Sequence, residues 1–414
     1  VQDAGQSGNI RHQPRRASIF IKQEKEMPGP IADSAREQVK ITAIKAMQVG
    51  ANTWIRIETD QGFIGYGPSG PSGITARDVI DNLHTGRLPH LGLIGKDPLS
   101  IQVHHHNMFY GYPQRGRQMK VLSGIDMALW DLAGQILGQP VSILLGGNFR
   151  DRIRLYSHCG GGDFLSREEW RDRAQKMKEN RLGIKAFKID IHHILGIPMQ
   201  QYSQSIGPQE ARNVARAYDL AREELGDEID IIVHCHNELD VPSAIKVAQA
   251  IEPIKPLFYE DPIQAGFSEG WMALRRATNL PIMTGEIIAL AEEALPFLQN
   301  QAVDTLQPDL INSGGITGTR TIAELAALYR IPVCLHNVSG LGLNMASQQW
   351  SAAVFNCPLM ESRSNSDIAD EALSNAPIVE DGYMEVSTRP GLGFDLNQEY
   401  MKEARNDGEP WWAE

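Results

Sequence analysis

Seven apolar runs in this 414-residue chain end on side chains that ionise or bind metal: Lys188 and Asp190, His234 and His236, Glu260, Glu286, Asp309, His336 and Glu361. From His234 onward the intervals are 26, 26, 23, 27 and 25 residues, so one such group returns with each repeat of a structural unit. His234, Glu260 and Glu286 offer one imidazole nitrogen and two hard carboxylate oxygens, a donor set for Mg2+ or Mn2+. His336 with Asp309 has the makeup of an acid/base dyad, in which the carboxylate fixes the imidazole tautomer and raises its basicity. His236 lies two residues beyond His234, on the same face of a strand, and supplies a second acid/base. Asp261, beside Glu260, falls on the opposite face and reads as structural. A lone polar group at a strand end often does no more than cap it; the periodic series is what points to chemistry.

Such a series needs a scaffold that brings distant strand ends together. From Arg152 onward, short apolar runs at 153–158, 186–190, 229–235, 257–260, 282–285, 305–307, 333–336 and 359–361 alternate with helical patterns such as 209–225, 243–251 and 319–329. Eight strands in strand-helix alternation predict a parallel α/β barrel, whose C-terminal strand ends share one mouth. The preceding segment differs. Runs at 39–49, 53–59 and 63–67 around the turn 60–62 predict an antiparallel meander, and 121–137 carries Leu122, Ile125, Leu129, Leu132 and Ile136 at helical spacing. The glycine-rich stretch 67–73 is long enough for a lid or an ordinary surface loop. The tail 381–395 predicts a return segment lying beside the first domain.

Composition narrows the function classes. Lys and Arg total 39 against 51 Asp and Glu, and a net charge of −12 gives nucleic acid no long-range attraction. No run approaches the roughly 18 apolar residues of a membrane span, so a soluble protein is expected. The first 34 residues are polar, with Arg11, Arg15 and Arg16, and lack an apolar signal core. A cytoplasmic location is the expectation, with a processed exported form left open. Cys159, Cys235, Cys334 and Cys357 lie in or beside apolar runs without knuckle spacing, which predicts buried free thiols.

Several segments resemble signatures of the enolase superfamily, in its mandelate racemase-like branch of acid-sugar dehydratases of the galactonate and mannonate type. They are Ser123-Gly-Ile-Asp-Met-Ala-Leu-Trp-Asp131, Leu144-Leu-Gly-Gly147, Tyr259-Glu-Asp-Pro262, Gln307-Pro-Asp309 with Gly314-Gly315, and Pro390-Gly-Leu-Gly393, in the family's order. The resemblance implies a modified (β/α)7β TIM-like barrel with an N-terminal α+β capping domain. The expected division is a polar extension 1–37, a capping domain 38–150, a barrel 151–380 and a segment 381–414 packing back on the cap.

The same resemblance implies site roles. His234, Glu260 and Glu286 fall on the metal-ligand positions, Asp309 and His336 on the dyad, and Glu361 on the carboxyl group that hydrogen-bonds the substrate carboxylate. Lys188 matches the first lysine of a Lys-x-Lys motif whose second lysine, the usual base, is replaced by Asp190. At His234 the family usually has Asp. His236 occupies the place of the α-proton base of the dehydratases.

The implied reaction removes the proton α to the carboxylate and eliminates the β-hydroxyl, giving a 2-keto-3-deoxy acid, with Mg2+ as cofactor. The imidazole at 234 makes Mn2+, Fe2+ or Zn2+ better suited than they are to an all-carboxylate site. Racemisation, epimerisation or cycloisomerisation on the same scaffold, and a non-catalytic acid-sugar-binding protein, are the alternatives. A small sugar-acid substrate and a homo-oligomer, dimer to octamer, are the expected partners. Substrate choice is assigned to cap segments 67–75 and 104–117, and the triple histidine 104–106 reads as a solvated helix face or as a group reaching the polyol end of a substrate.

Overall fold

The structure is a computed structural model that describes residues 38–70, 72–85, 92–110, 116–197, 199, 203–362 and 371–413. The expected polar extension 1–37 lies outside the described residues. Residues Val39–Glu414 form one compact unit.

Three strands open it: β1 (Ile41–Val49), β2 (Asn52–Thr59) and β3 (Ile64–Ser69), an antiparallel meander in the order β1-β2-β3. The helix Arg117–Leu137 lies across this sheet, burying Leu122, Ile125, Leu129 and Leu132, and ends at Gly138 in the left-handed conformation. Gly65 and Gly67 permit the close approach, since a Cβ at Gly67 would stand 2.1 Å from the Gly124 carbonyl oxygen. The stretch read as a long loop is shorter than expected, because β3 runs to Ser69 and a helix begins at Gly73.

Eight parallel strands follow: β4 (Arg152–His158), β5 (Ala186–Asp190), β6 (Asp230–His234), β7 (Phe258–Glu260), β8 (Ile282–Thr284), β9 (Thr305–Leu306), β10 (Cys334–Leu335) and β11 (Leu359–Glu361). They pair in the ring order β10-β11-β4-β5-β6-β7-β8-β9, and bridges Leu306↔Val333 and Asp309↔His336 close it. Helices lie in each of the seven crossovers, which makes the barrel (β/α)7β. The hairpin β12 (Val379–Glu380) and β13 (Tyr383–Glu385) pairs antiparallel with Arg152–Arg154 of β4, below the point where β4 meets β5. The return segment therefore begins on the barrel before its later residues bond to the cap.

The barrel interior explains which side chains reach the mouth. Tyr156, Ala186, Ile232, Met283, Cys334 and Leu359 pack as an inner apolar cluster, with Phe258 against it. Two residues further along six strands, on the same face, stand His158, Lys188, His234, Glu260, His336 and Glu361. The apolar layer thus floors the polar one.

The signature segments are the joints between cap and barrel. Asp126 accepts from the Thr317 amide at the start of the barrel helix Gly315–Leu328, Ser123 Oγ accepts from Gly314 N, and Trp130 donates to Thr317 Oγ1. Gly315 has φ +71°, and a Cβ there would stand 2.4 Å from Asp126 Oδ2. Asp131 accepts from Tyr66 N and Leu392 N, both at 2.8 Å, tying β3, the cap helix and the return segment together. Replacing Asp131 by Ala strands two amide donors, so unfolding stability in urea is expected to fall by about 2 kcal/mol or more. A change below about 0.5 kcal/mol, the range of an ordinary surface substitution, would show the joint to be dispensable.

Candidate active site

Lys188 organises the floor of the mouth. Its ammonium is fully buried, 2.9 Å from Glu260 Oε1 and 2.8 Å from Glu361 Oε1. Burial opposes its charge, but Glu260, Glu361 and Glu286 outweigh that and hold its pKa well above the ordinary lysine value. Glu361, on the adjoining side, also accepts from Tyr156 Oη at 3.1 Å and Asn337 N at 3.2 Å, with His158 Nε2 at 2.8 Å. Burial raises its pKa, yet Lys188, His336 and His158 bring it well below the usual carboxylate range. That direction makes it an ionised acceptor in this setting.

His234 and Asp190 are register partners on β6 and β5. Asp190 Oδ1 lies 2.9 Å from His234 Nδ1, which leaves Nε2 facing Glu260 Oε1 at 3.5 Å and Glu286 Oε2 at 3.8 Å. The His234 pKa lies well below the ordinary value, through burial first and then Lys188 and His236, so the imidazole is neutral and available as a donor. Asp190, a candidate catalytic residue at the position of the missing lysine base, lies in the structure as the carboxylate that orients His234.

On the far side of the ring His336 Nδ1 lies 2.7 Å from Asp309 Oδ2, the expected dyad. Its Nε2 stands 3.2 Å from Glu286 Oε2 and 3.8 Å from Glu361 Oε2. Burial disfavours the imidazolium, but Glu286, Glu361 and Asp309 together push its pKa up to about 10. His236 shifts the other way, down to about 4, chiefly by burial.

Three expectations need correction. His236 is not on the strand: β6 stops at His234, and His236 and Asn237 have φ of +47° and +60°. Its ring still lies 3.7 Å from that of His234, because Asn237 N bonds Asp261 O at 2.7 Å and folds the turn back over the mouth. Asp261 is likewise off its strand, at φ +47°, so strand alternation does not apply. Its carboxylate accepts from Thr284 Oγ1 and lies in one donor group with His234, Glu260 and Glu286. The triple histidine is not a solvated face: His104 and His105 are buried, with ring nitrogens 2.7 Å from Asp97 O and 3.1 Å from Gly314 O. Residues 111–115 of the nominated specificity segment lie outside the described residues.

His158 escaped the sequence reading, although it closes the first barrel strand as the other groups close theirs. It lies 3.7 Å from Asp190 Oδ2 and 2.8 Å from Glu361 Oε1. Burial and Lys188 oppose its protonation, yet Asp190 and Glu361 raise its pKa to about 9. All four cysteines are free, and three are buried. Among the described residues no helix is long and apolar enough to cross a membrane.

Comparison with known proteins agrees with this architecture. Residues 31–146 match the mandelate racemase / muconate lactonizing enzyme N-terminal domain, and residues 169–400 match the enolase C-terminal domain-like family. The chain belongs to the enolase superfamily. It is 30% identical to a D-galactonate dehydratase of Variovorax paradoxus over 90% of this chain and 96% of that protein. It is 29% identical to a D-xylonate dehydratase of Haloferax volcanii over 91% of each. A solved mandelate racemase/muconate lactonizing enzyme-like protein from Rubrobacter xylanophilus superposes with a TM-score of 0.80 at 29% identity, covering 90% of this chain and 99% of that one.

Members of this superfamily use a divalent metal, and the donor set fits one. His234, Glu260, Asp261 and Glu286 each offer a ligand atom within 4.8 Å of the others. His234 Nε2 and Glu260 Oε2 are buried without a hydrogen-bond partner, which a cation would supply. Burial, together with Glu361 and Glu286, pushes the Glu260 pKa up to about 7 despite Lys188. Below that pH a proton competes for the carboxylate, so affinity for Mg2+ or Mn2+ is expected to fall by up to about tenfold per unit as pH drops below neutrality. Titration of metal into metal-stripped protein on either side of pH 7 checks this; a flat profile would place the ion elsewhere. Asp190→Ala is expected to weaken the same affinity by about 10–100-fold, because His234 loses its orienting carboxylate.

Proposed function

We propose that this chain is a divalent-metal-dependent dehydratase of an aldonate-type sugar acid, with Mg2+ or Mn2+ as its cofactor, yielding a 2-keto-3-deoxy acid. The observation that carries the reading is a pair of histidines whose surroundings push them in opposite directions, His236 on the β6 side down to about 4 and His336 on the β10 side up to about 10, flanking one metal-type donor set. β6 and β10 stand four places apart in an eight-strand ring, so the two face each other across the mouth. The dehydratase names of the relatives fit that pairing.

His234, Glu260 and Glu286 would hold the metal. When bound, the cation supplies positive charge beside a substrate carboxylate, which lowers the barrier to removing the adjacent proton. Neutral His236 has a lone pair free to take the C2 proton as the C2–H electrons move toward the carboxylate. Lys188, fixed between Glu260 and Glu361, holds a permanent positive charge on the same floor, where negative charge develops. Protonated His336, steadied by Asp309, delivers its proton to the C3 hydroxyl, which leaves as water as the C3–O bond breaks. The resulting enol becomes the 2-keto acid. His158 and Glu361 keep Lys188 and the β4 side of the mouth in place.

Two variants assayed on gluconate, galactonate and xylonate test the roles. His336→Asn is expected to lose about 10²–10⁴-fold in keto-acid formation while retaining exchange of the C2 proton with deuterated solvent. His236→Asn is expected to lose both. Wild-type dehydration by the His336 variant would refute the assignment of acid and base. An epimerised acid without keto acid, formed by the unaltered protein, would refute the dehydratase reading itself.

A further inference from the structure

A second cluster of donors lies beside Asp190. His192 comes from the short helix Ile191–Leu195 that follows β5, and His236 and Glu238 come from the turn that follows β6. Because β5 and β6 are neighbours, the two connections meet. One ligand atom from each of His192, His236 and Glu238 lies within 4.8 Å of the other two.

Three further observations mark the cluster as more than a chance grouping. His192 is 8% exposed and Glu238 0% exposed, with His236 half-buried, so the donors do not sit on a solvated face. Nδ1 of His192 and Nδ1 of His236 are both buried without a hydrogen-bond partner. A buried imidazole nitrogen left unpaired calls for an explanation, and an ion is one of the few groups that satisfies two at once. The rings meet edge to face, with centroids 5.2 Å apart at 66°. None of the three residues belongs to the His234, Glu260 and Glu286 set. Asp190, whose carboxylate also groups with His192 and with His236, is the charge between the two clusters.

We infer that His192, His236 and Glu238 form a second, inhibitory cation site selective for a borderline ion of the Zn2+ class. Two imidazole nitrogens and one carboxylate oxygen form a donor set on which Zn2+ outcompetes Mg2+, which prefers oxygen donors. A neutral imidazole has a single ring lone pair, and coordination uses it, leaving only an N–H. Filling the site therefore removes His236 from proton abstraction. The inhibitory consequence rests on the role proposed for His236; the binding site does not.

Zinc binding is measured by calorimetry on the full chain in excess Mg2+, with His192→Ala, Glu238→Gln, His193→Ala and Glu286→Gln beside the unaltered protein. The unaltered chain is expected to bind a Zn2+ that Mg2+ does not displace, distinct from any Zn2+ taken up by His234, Glu260 and Glu286. His192→Ala and Glu238→Gln should each lower zinc affinity at least about tenfold with unchanged circular dichroism, whereas exposed His193→Ala should not. Zinc should suppress keto-acid formation in the unaltered chain but not in His192→Ala, which retains its Mg2+-supported turnover. Zinc affinity that survives both His192→Ala and Glu238→Gln, or that is lost only in Glu286→Gln, would overturn the site. Should no sugar acid be dehydrated, the proposed function falls while the calorimetry still decides the zinc site.

Discussion

One buried ion pair network governs the mouth of this barrel. Lys188 brings a full positive charge to a place with no solvent access and holds two glutamates from strands on either side of it. Removing a charge from water costs several kcal/mol, and only close partners offset that, so deleting either side leaves the other uncompensated. Glu260 and Glu361 could not both remain ionised at this depth without the ammonium between them. Every later property of the site follows from that. Glu361 stays an acceptor and draws His158 and His336 toward it, whereas Glu260, pressed by Glu286 and Glu361, keeps an affinity for a further cation.

The network can sit at that depth because the scaffold floors and roofs it with different chemistry. Beneath it, one apolar layer of inward side chains seals the barrel. Above it, the cap is held in register by buried carboxylates that accept backbone amides: Asp126 at the start of a barrel helix and Asp131 across β3 and the return segment. These joints explain why the signature segments pair small residues with acids. The glycines let backbones approach, and each acid satisfies amides that the approach would otherwise strand. Cap placement and site geometry are thus linked through hydrogen bonds that touch no reacting group.

Much of this was legible in the chain itself, for a physical reason. Strand periodicity is local, so eight short apolar runs marked eight barrel strands, and the ionisable groups at their ends placed Lys188, His234, Glu260 and Glu361 in one mouth. The dyad was equally readable, since adjacent strands place Asp309 and His336 side by side. What failed was whatever depends on how the chain leaves a strand. His236 and Asp261 adopt positive φ, a backbone choice that β alternation does not anticipate in non-glycine residues. His105 is buried against a barrel loop 209 residues away, information absent from the helix that carries it.

The two departures from the family pattern, Asp190 for lysine and His234 for aspartate, look independent in sequence, one removing a base and the other altering a metal-ligand position. In the fold they are register partners 2.9 Å apart, and they act as one exchange. The acid has moved from β6 to β5, and an imidazole fills the space between it and the donor set. Through its hydrogen bond the imidazole gains basicity from the carboxylate, so part of the negative charge that aspartate would have given directly still reaches Nε2. The exchange also removes a cation from the same corner, and the neutral state of His234 is favoured by burial, Lys188 and His236 and opposed by Asp190. A donor set with one nitrogen in place of one oxygen favours softer ions than Mg2+, and Asp190, shared with His192 and His236, extends that bias to the neighbouring cluster. With His234, Glu260 and Glu286 as the proposed ligands, metal preference would be set by a cross-strand pair rather than by any ligand taken alone.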